Sequence, residues 1–316
     1  MTRPPTIVAL AEEYLALRRK LGFAMRIEGA ELIRFARFAD QLGHRGPITI
    51  ELAVRWAKLP SDASPLYWAR RLDVVRRFAH YRLSFDPRTE VPAPGMLGPS
   101  YRRTPPYIYS EDQIVALLQA ASRLGPVGGL RPRTYVALFG LLASTGLRIS
   151  EAVKLTRTDV DLDAGVLTVS ETKFHKARLV PLHPSTTGQL RRYAKHRERY
   201  HPRVSSNAFF LTERRTPLKD WRVRMTFASL RAHLGWAAHS GRLPRIHDLR
   251  HTFAVARLLR WYQEGADVDH KIAALSTYLG HVKVTDTYWY VTAVPQLLAA
   301  ISTRYERFAR GEGARP

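Results

Sequence analysis

The chain has 316 residues, 45% hydrophobic and 10% aromatic, material for two domains with packed cores. Its formal charge of +23 and pI near 10.8, carried mostly by arginine along the whole length, favour a polyanionic partner, with DNA or RNA the foremost candidate. The lack of cysteine excludes disulfides, thiolate zinc sites and cysteine nucleophiles. No apolar run approaches the roughly 20 residues of a membrane span, and Met1–Pro5 leads into no signal-peptide core, so a cytoplasmic protein is expected.

The first 85 residues read as successive helices. Ile7, Leu10, Tyr14, Leu17 and Leu21 recur at helical spacing up to Gly22, and Leu32, Phe35, Phe38 and Leu42 form the stripe of a second helix from about Glu28. Thr49 is an N-cap for a third helix carrying Leu52, Val54 and Trp56, and Ser64-Pro65 is a cap with a first-turn proline for a fourth. The fourth, SPLYWARRLDVVRRFAHYRL, turns Leu72, Val75 and Phe78 inward and carries Arg70, Arg71, Arg76 and Arg77, which suit it to grip phosphates; an ordinary solvated face would look the same.

Residues 86–106 are crowded with Pro and Gly, which stop helices and stiffen an extended linker, so a domain of residues 1–85 gives way to one of 107–316. Ser110 caps the next helix. Thr134–Ser144 is nearly all apolar and must be buried, ending at Gly146 with Arg148 and a short helix around ISEAVKL directly after. Val166–Ser170 and Arg178–Leu182 are rich in strand formers and flank ETKFHKA, a β-hairpin with Lys173 at its tip. Thr186–His239 is helical and basic, including Arg222 and Arg224. In RIHDLRHTFAVARLL, Leu249, Phe253 and Ala256 face inward while His247 and Arg250, three apart, share a face. A short helix, Ile272–Leu279, leads through Gly280 into LGHVKVTDTYWYV, and PQLLAAISTRYERFARG is amphipathic enough for a last helix.

Taken singly, an arginine after a glycine turn, a hairpin lysine, a histidine or a tyrosine among aromatics is commonly structural. Taken in order, TGLRISE, TKFHKARLVPL, HDLRHTFA and LGH with a tyrosine nine residues beyond the histidine resemble the tyrosine recombinase (phage integrase) family across the whole second half. The helical first segment is similar to that family's core-binding domain, and YWYVTAVPQLLAA to the ends of mobile-element recombinases of the recombinase-in-trio type. The resemblance implies a mainly α fold with a small β-sheet or hairpin, a helical core-binding domain joined to a catalytic domain in a C-shaped clamp on duplex DNA. It also implies a site-specific strand-exchange enzyme that works without metal, ATP or other cofactor, as a homo- or hetero-tetramer on DNA, with sister recombinases as further partners.

By that resemblance Arg148, His247, Arg250, His281 and Tyr290 are catalytic, with Glu151 supporting the arginine site and Lys173 the leaving-group acid. Thr172 and Phe174 flank Lys173 where the family has glycines, so Lys176 stays open as a substitute, and otherwise counts among the DNA contacts. The chemistry suits these types: two guanidiniums meet charge developing on non-bridging oxygens, His247 donates to the same oxygens, and His281 bonds the phosphate or helps remove the phenolic proton. Tyr290 would become a 3′-phosphotyrosine, releasing a 5′-hydroxyl. Tyr288 falls two residues short of the family spacing.

Two further patterns carry less. DVDLDAG has Ala164 and Ser170 where a calcium loop needs Gly and Glu, and reads instead as the turn entering the hairpin. His247 and His251 have the spacing of a zinc pair without a third ligand. The alternatives are a type IB topoisomerase-like relaxation activity and a DNA-binding accessory subunit that cleaves little or nothing.

Overall fold

The computed structural model describes residues 4–101, 104–170, 177–203, 205–236, 243–295, 297–299, 301, 302, 306 and 310. The chain divides into two units, Met1–Thr104 and Pro105–Pro316. Among the described residues it is mainly helical with one three-stranded antiparallel sheet, and no helix is long and apolar enough to cross a membrane.

The first unit holds α1 (Ile7–Lys20), α2 (Ile27–Gln41), α3 (Ile50–Ala57) and α4 (Pro65–Leu83). The hydroxyls of Thr49 and Ser64 accept from Leu52 N and Tyr67 N at the starts of α3 and α4, satisfying amides that have no partner in a helix's first turn. The start of α1 is held from a distance as well, Asp40 of α2 accepting from the N–H groups of Ile7 (2.9 Å) and Val8 (3.1 Å). Leu32, Phe35, Trp56, Val75 and Phe78 are the centre of the core.

The inward stripe of α1 differs from the spacing-based expectation. Ala11 and Leu15 are buried with Ile7 and Tyr14, whereas Leu17 and Leu21 are 40% and 61% exposed. A 3.6-residue period admits two neighbouring stripes, and the small Ala11 lets the helix approach its partners along the second. The Pro/Gly segment after α4 also differs from an extended linker. Glu90 N–H donates to Ile48 O, the Glu90 carboxylate accepts from Ile50 N, and Val91 and Leu97 rest on the first core, so residues up to 104 belong to that unit.

The second unit runs through α5 (Glu111–Ser122), α6 (Leu130–Thr145), α7 (Ile149–Ala152), β1 (Val160–Asp161), β2 (Val166–Ser170), β3 (Ala177–Pro181), α8 (Pro184–Tyr200), α9 (Asp220–His233), α10 (Asp248–Gln263), α11 (Val268–Leu279) and α12 (Thr285–Ala293). The sheet order is β1-β2-β3, with Leu167 opposite Val180 and Thr168 opposite Leu179. Leu167, Val169 and Val180 turn inward, and Asp161 Oδ1 accepts from the N–H groups of Asp163 (3.0 Å) and Ala164 (2.8 Å), tying the DVDLDAG stretch into the turn between β1 and β2. α6 is buried along most of its length, starting at Leu130 instead of Thr134. Asp267 caps α11, which therefore begins four residues before Ile272. The expected tail helix falls mostly outside the described residues.

Candidate active site

The site grows from two left-handed glycines that end α6 and α11. Gly146 (φ +64) closes α6, and a Cβ there would meet Phe253 Cδ1 at 2.7 Å, so both backbone and space call for glycine. The turn delivers Arg148 to the start of α7, where Glu151 accepts from Arg148 N (2.9 Å) and Arg148 Nη1 (2.8 Å). The other side of the same carboxylate is held by Arg178 of β3, whose Nη2 lies 2.9 Å from Oε2. Burial alone would raise the Glu151 carboxyl, but the hydrogen bonds from Arg178 and the Arg148 amide and the two positive charges leave it below its ordinary range.

Gly280 (φ +68) closes α11, and a Cβ there would sit 2.8 Å from Arg178 Nη1. The glycine of LGH thus makes room for a guanidinium, which also donates from Nε to Tyr278 O (2.8 Å). The carbonyls at the two helix ends, lacking intrahelical donors, are taken by the arginines: Arg250 Nη1 donates to Gly146 O (2.8 Å) and Nη2 to Leu279 O (2.6 Å), and Arg148 Nη2 to Gly280 O (2.8 Å). Arg250 is only 2% exposed, while the Arg148 side chain is 33% exposed. Burial first, then the charge of Arg148, brings the Arg250 guanidinium down to about 10, still cationic at neutral pH.

His247 stands at the start of α10 and His251 one turn later, their rings perpendicular at 4.9 Å. His281 follows Gly280, its N–H bonding back to Ser276 O and its Nδ1 lying 2.7 Å from Thr287 Oγ1 of α12. That contact with a fully buried threonine fixes the ring and directs Nε2 away from it. The dense surroundings of His247, which still meets solvent on one side, and then the charges of Arg250, Arg245, Arg148 and Arg224 push it down to about 4; burial and then Arg250 and Arg148 take His281 to about 4 as well. Both rings are neutral at pH 7 in the unliganded protein.

Tyr290 lies in α12, 2% exposed, among Ala254, Val255, Leu258 and Leu279. Its hydroxyl is 2.9 Å from His251 Nδ1, and its ring stacks toward His281 at 6.4 Å and 27°. Tyr288, two residues earlier, is 42% exposed and reaches Asp269 instead. The structure therefore brings Arg148, Glu151, His247, Arg250, His281 and Tyr290 to one place. Lys173 and Lys176 lie outside the described residues. A cleft of ≈ 990 Å³ adjoins Arg148, lined in part by Lys154, Thr156, Thr168, Arg178 and His281.

The expected DNA-binding arginines are more scattered. Arg71 is turned into the protein, its guanidinium 3.9 Å over the Trp56 ring with Nη2 donating to Trp56 O (3.0 Å), because α4 packs that face on α3. It is not presented to a partner. Arg70 is exposed but donates to Ser100 O, Arg76 is paired with Asp73, and Arg77 faces solvent. In α9 Arg222 is exposed beside Trp221, and Arg224 is ion-paired with Asp220.

Three participants escaped sequence reasoning. Arg178 looked like a strand residue, and only folding brings it to Glu151, 27 positions away. Thr287 gave no signal beyond its place six residues after His281. His251, noticed only for zinc-like spacing, has a phenol beside it; among the described residues no group of three or more His, Cys, Asp or Glu is placed to hold a metal.

Comparison with known proteins shows the family of the chain. Residues 108–296 match the phage integrase family. The integrase/recombinase y4rB of Sinorhizobium fredii is 44% identical over 94% of this chain and 96% of the relative. In fold, the chain is similar to the Tn1549 transposon integrase in complex with transposon right end DNA (TM-score 0.68, 19% identity, 96% of this chain and 100% of that one). It is also similar to a lambda integrase in a tetramer bound to a Holliday junction (TM-score 0.58, 17% identity, 89% and 79%). With a family match across more than half its length and a near full-length relative at this identity, the chain belongs to the phage integrase family of tyrosine recombinases, enzymes of DNA strand exchange.

Proposed function

We propose that this recombinase cleaves and rejoins duplex DNA at a specific site through a 3′-phosphotyrosine on Tyr290, in the integration, excision or transposition of a mobile element. The observation that carries the reading is the convergence of two helix-end-anchored guanidiniums, Arg148 and Arg250, with His247, His281 and the Tyr290 phenol. Glu151 already sits between Arg148 and Arg178, and a phosphate is the further anion that such a group of guanidiniums and donors suits. A scissile phosphate seated there gains charge as the phenol attacks, and preorganised arginines stabilise that charge more than they stabilise the ground state. His247 and the Nε2 of His281 add hydrogen bonds to the same oxygens. Lys173, or Lys176 in its stead, protonates the departing 5′ oxygen.

The phosphotyrosine conserves the energy of the broken ester, so a second strand's 5′-hydroxyl can reverse the step without ATP. Exchange between two duplexes calls for four protomers, homo- or hetero-tetrameric, acting on DNA in the cytoplasm; the lambda integrase tetramer supports that assembly by analogy. The transposon integrase likeness and the YWYVTAVPQLLAA end support the mobile-element role, which terminal inverted repeats or adjacent recombinase genes beside this gene would test. The cleavage itself is tested with a nicked suicide substrate. A covalent protein–DNA band is expected from the unaltered protein and none from Tyr290→Phe; a band from Tyr290→Phe would overturn the assignment.

A further inference from the structure

The contact between His251 and Tyr290 is not among the roles described above. His251 is carried by α10, the helix that also carries Arg250, one residue before it, and its Nδ1 is 2.9 Å from the Tyr290 hydroxyl. Its Nε2 lies 3.9 Å from Oδ1 of Asp248, a fully buried carboxylate that Arg245 engages through its backbone N–H (2.7 Å) and Nη2 (3.0 Å). We propose that His251 is the group that accepts the Tyr290 proton when the phenol attacks phosphate, an inference that rests on the strand-cleavage reading above.

Three observations support it. The first is orientation. A neutral imidazole holds one N–H and one lone pair, and the carboxylate beside Nε2 favours the proton on that nitrogen. The Nδ1 lone pair then faces the phenol, which at neutral pH is itself a donor. The second is exclusion of water: with Tyr290 only 2% exposed, solvent has little access to its hydroxyl, and a base within hydrogen-bond reach has to come from the protein. The third is the response to substrate. Burial, followed by the charge that His247 takes on in acid and the standing charges of Arg245 and Arg250, pushes His251 down to about 3 in the unliganded protein. A bound phosphodiester brings negative charge against Arg250, offsets that cation and makes the ring a better proton acceptor at the moment one is needed.

The step balances as follows. The Tyr290 O–H bond breaks and its proton joins Nδ1 while the phenolic oxygen forms its bond to phosphorus. The P–O5′ bond breaks, and the 5′ oxygen takes a proton from a general acid, a lysine ammonium or water. The imidazolium, facing Asp248, returns its proton to the phenolic oxygen when a 5′-hydroxyl reverses the step. His281, fixed on Thr287, is left to the phosphate.

The test uses the full chain and a nicked suicide substrate with His251→Phe, which keeps a ring and removes both nitrogens, and His251→Asn, which keeps a hydrogen-bonding group near Nδ1 that cannot accept a proton. Both are expected to slow adduct formation by roughly 10²-fold or more at saturating DNA. A fluorinated tyrosine at position 290, whose phenol is more acidic, is expected to recover at least about tenfold in the variants beyond its effect in the unaltered protein. A 5′-bridging sulfur, which leaves without protonation, recovers neither variant. Adduct formation in His251→Asn near the unaltered rate would make the role one of holding the phenol and would overturn the proposal, as would an equal fluorotyrosine effect in all backgrounds. Ring ¹⁵N shifts of His251 give a readout independent of cleavage: a proton on Nε2 with Nδ1 bare supports the proposal, and a proton on Nδ1 overturns it. If the unaltered protein forms no adduct at all, the strand-cleavage reading has failed instead, and the ¹⁵N result still decides which way the hydrogen bond runs.

Discussion

Arg71 in the first unit and Arg250 in the second are both buried arginines, yet their surroundings differ in kind. Arg71 lies flat on Trp56 and donates to that residue's carbonyl, so an aromatic face and one acceptor absorb its charge. Arg250 is fixed by two helix-end carbonyls amid Arg148, Arg178, His247 and His281, with Glu151 the carboxylate shared by Arg148 and Arg178. Burial of an arginine is thus no mark of function by itself. Crowding of three guanidiniums around one carboxylate is, because the fold bears a repulsion that an anionic ligand relieves further.

The contrast can be broken outright by alanine substitution. Arg250→Ala is expected to lower adduct formation by about 10²-fold to 10³-fold, and leaving the Gly146 and Leu279 carbonyls without their donor costs about 1–3 kcal/mol for each. Arg71→Ala should destabilise the first unit by about 2 kcal/mol while the folded protein cleaves within about twofold of normal. Parallel measurement of denaturant unfolding and suicide-substrate cleavage checks both, and a loss of cleavage in Arg71→Ala as deep as in Arg250→Ala would dissolve the distinction.

A pH titration sharpens it, because the crowding around Arg250 also bears on His251. Above about 6.5 the ring is neutral in both folded and unfolded chains, and its contribution to stability is fully present. As pH falls below that, the unfolded ring takes a proton that the folded ring refuses until about 3, so stability drops, by roughly 2 kcal/mol at pH 5. Unfolding curves at pH 7 and pH 5 should show this loss diminished in His251→Phe. Equal losses in the two proteins would mean that the histidine is not held neutral by the fold.

The smallest effect belongs to the solvent-facing side of α4. Arg77→Ala should leave cleavage at saturating DNA unchanged and reduce the salt slope of binding by about 1, the signature of one phosphate contact. A gel-shift series across salt concentrations measures it, and an unchanged slope would place Arg77 off the DNA.

Much of this was legible in the sequence because it is local. Thr49, Ser64 and Ser110 cap helices with their own side chains, and Gly146 and Gly280 end them, so these caps and breakers placed several element boundaries, while the Asp267 cap of α11 was not read. The order of Arg148, His247, Arg250, His281 and Tyr290 could be read because each sits in a short segment whose residues serve a single turn. Which side of an amphipathic helix meets the core was less legible: Leu17 and Leu21 lost to Ala11 and Leu15, and Arg71 went inward where Arg70 and Arg77 did not.

The sequence by itself determined the charge, the helical succession, the two glycine turns and the residue types gathered for phosphate chemistry, since composition, capping and left-handed backbone depend on a few neighbouring residues. Only the tertiary structure decided that Arg178 shares Glu151 with Arg148, that the arginines are held by carbonyls of α6 and α11, that Thr287 fixes His281, and that Tyr290 rests on His251. Those contacts join residues 6 to 132 positions apart, and their partners are chosen by how buried helices and strands pack, which no local pattern encodes.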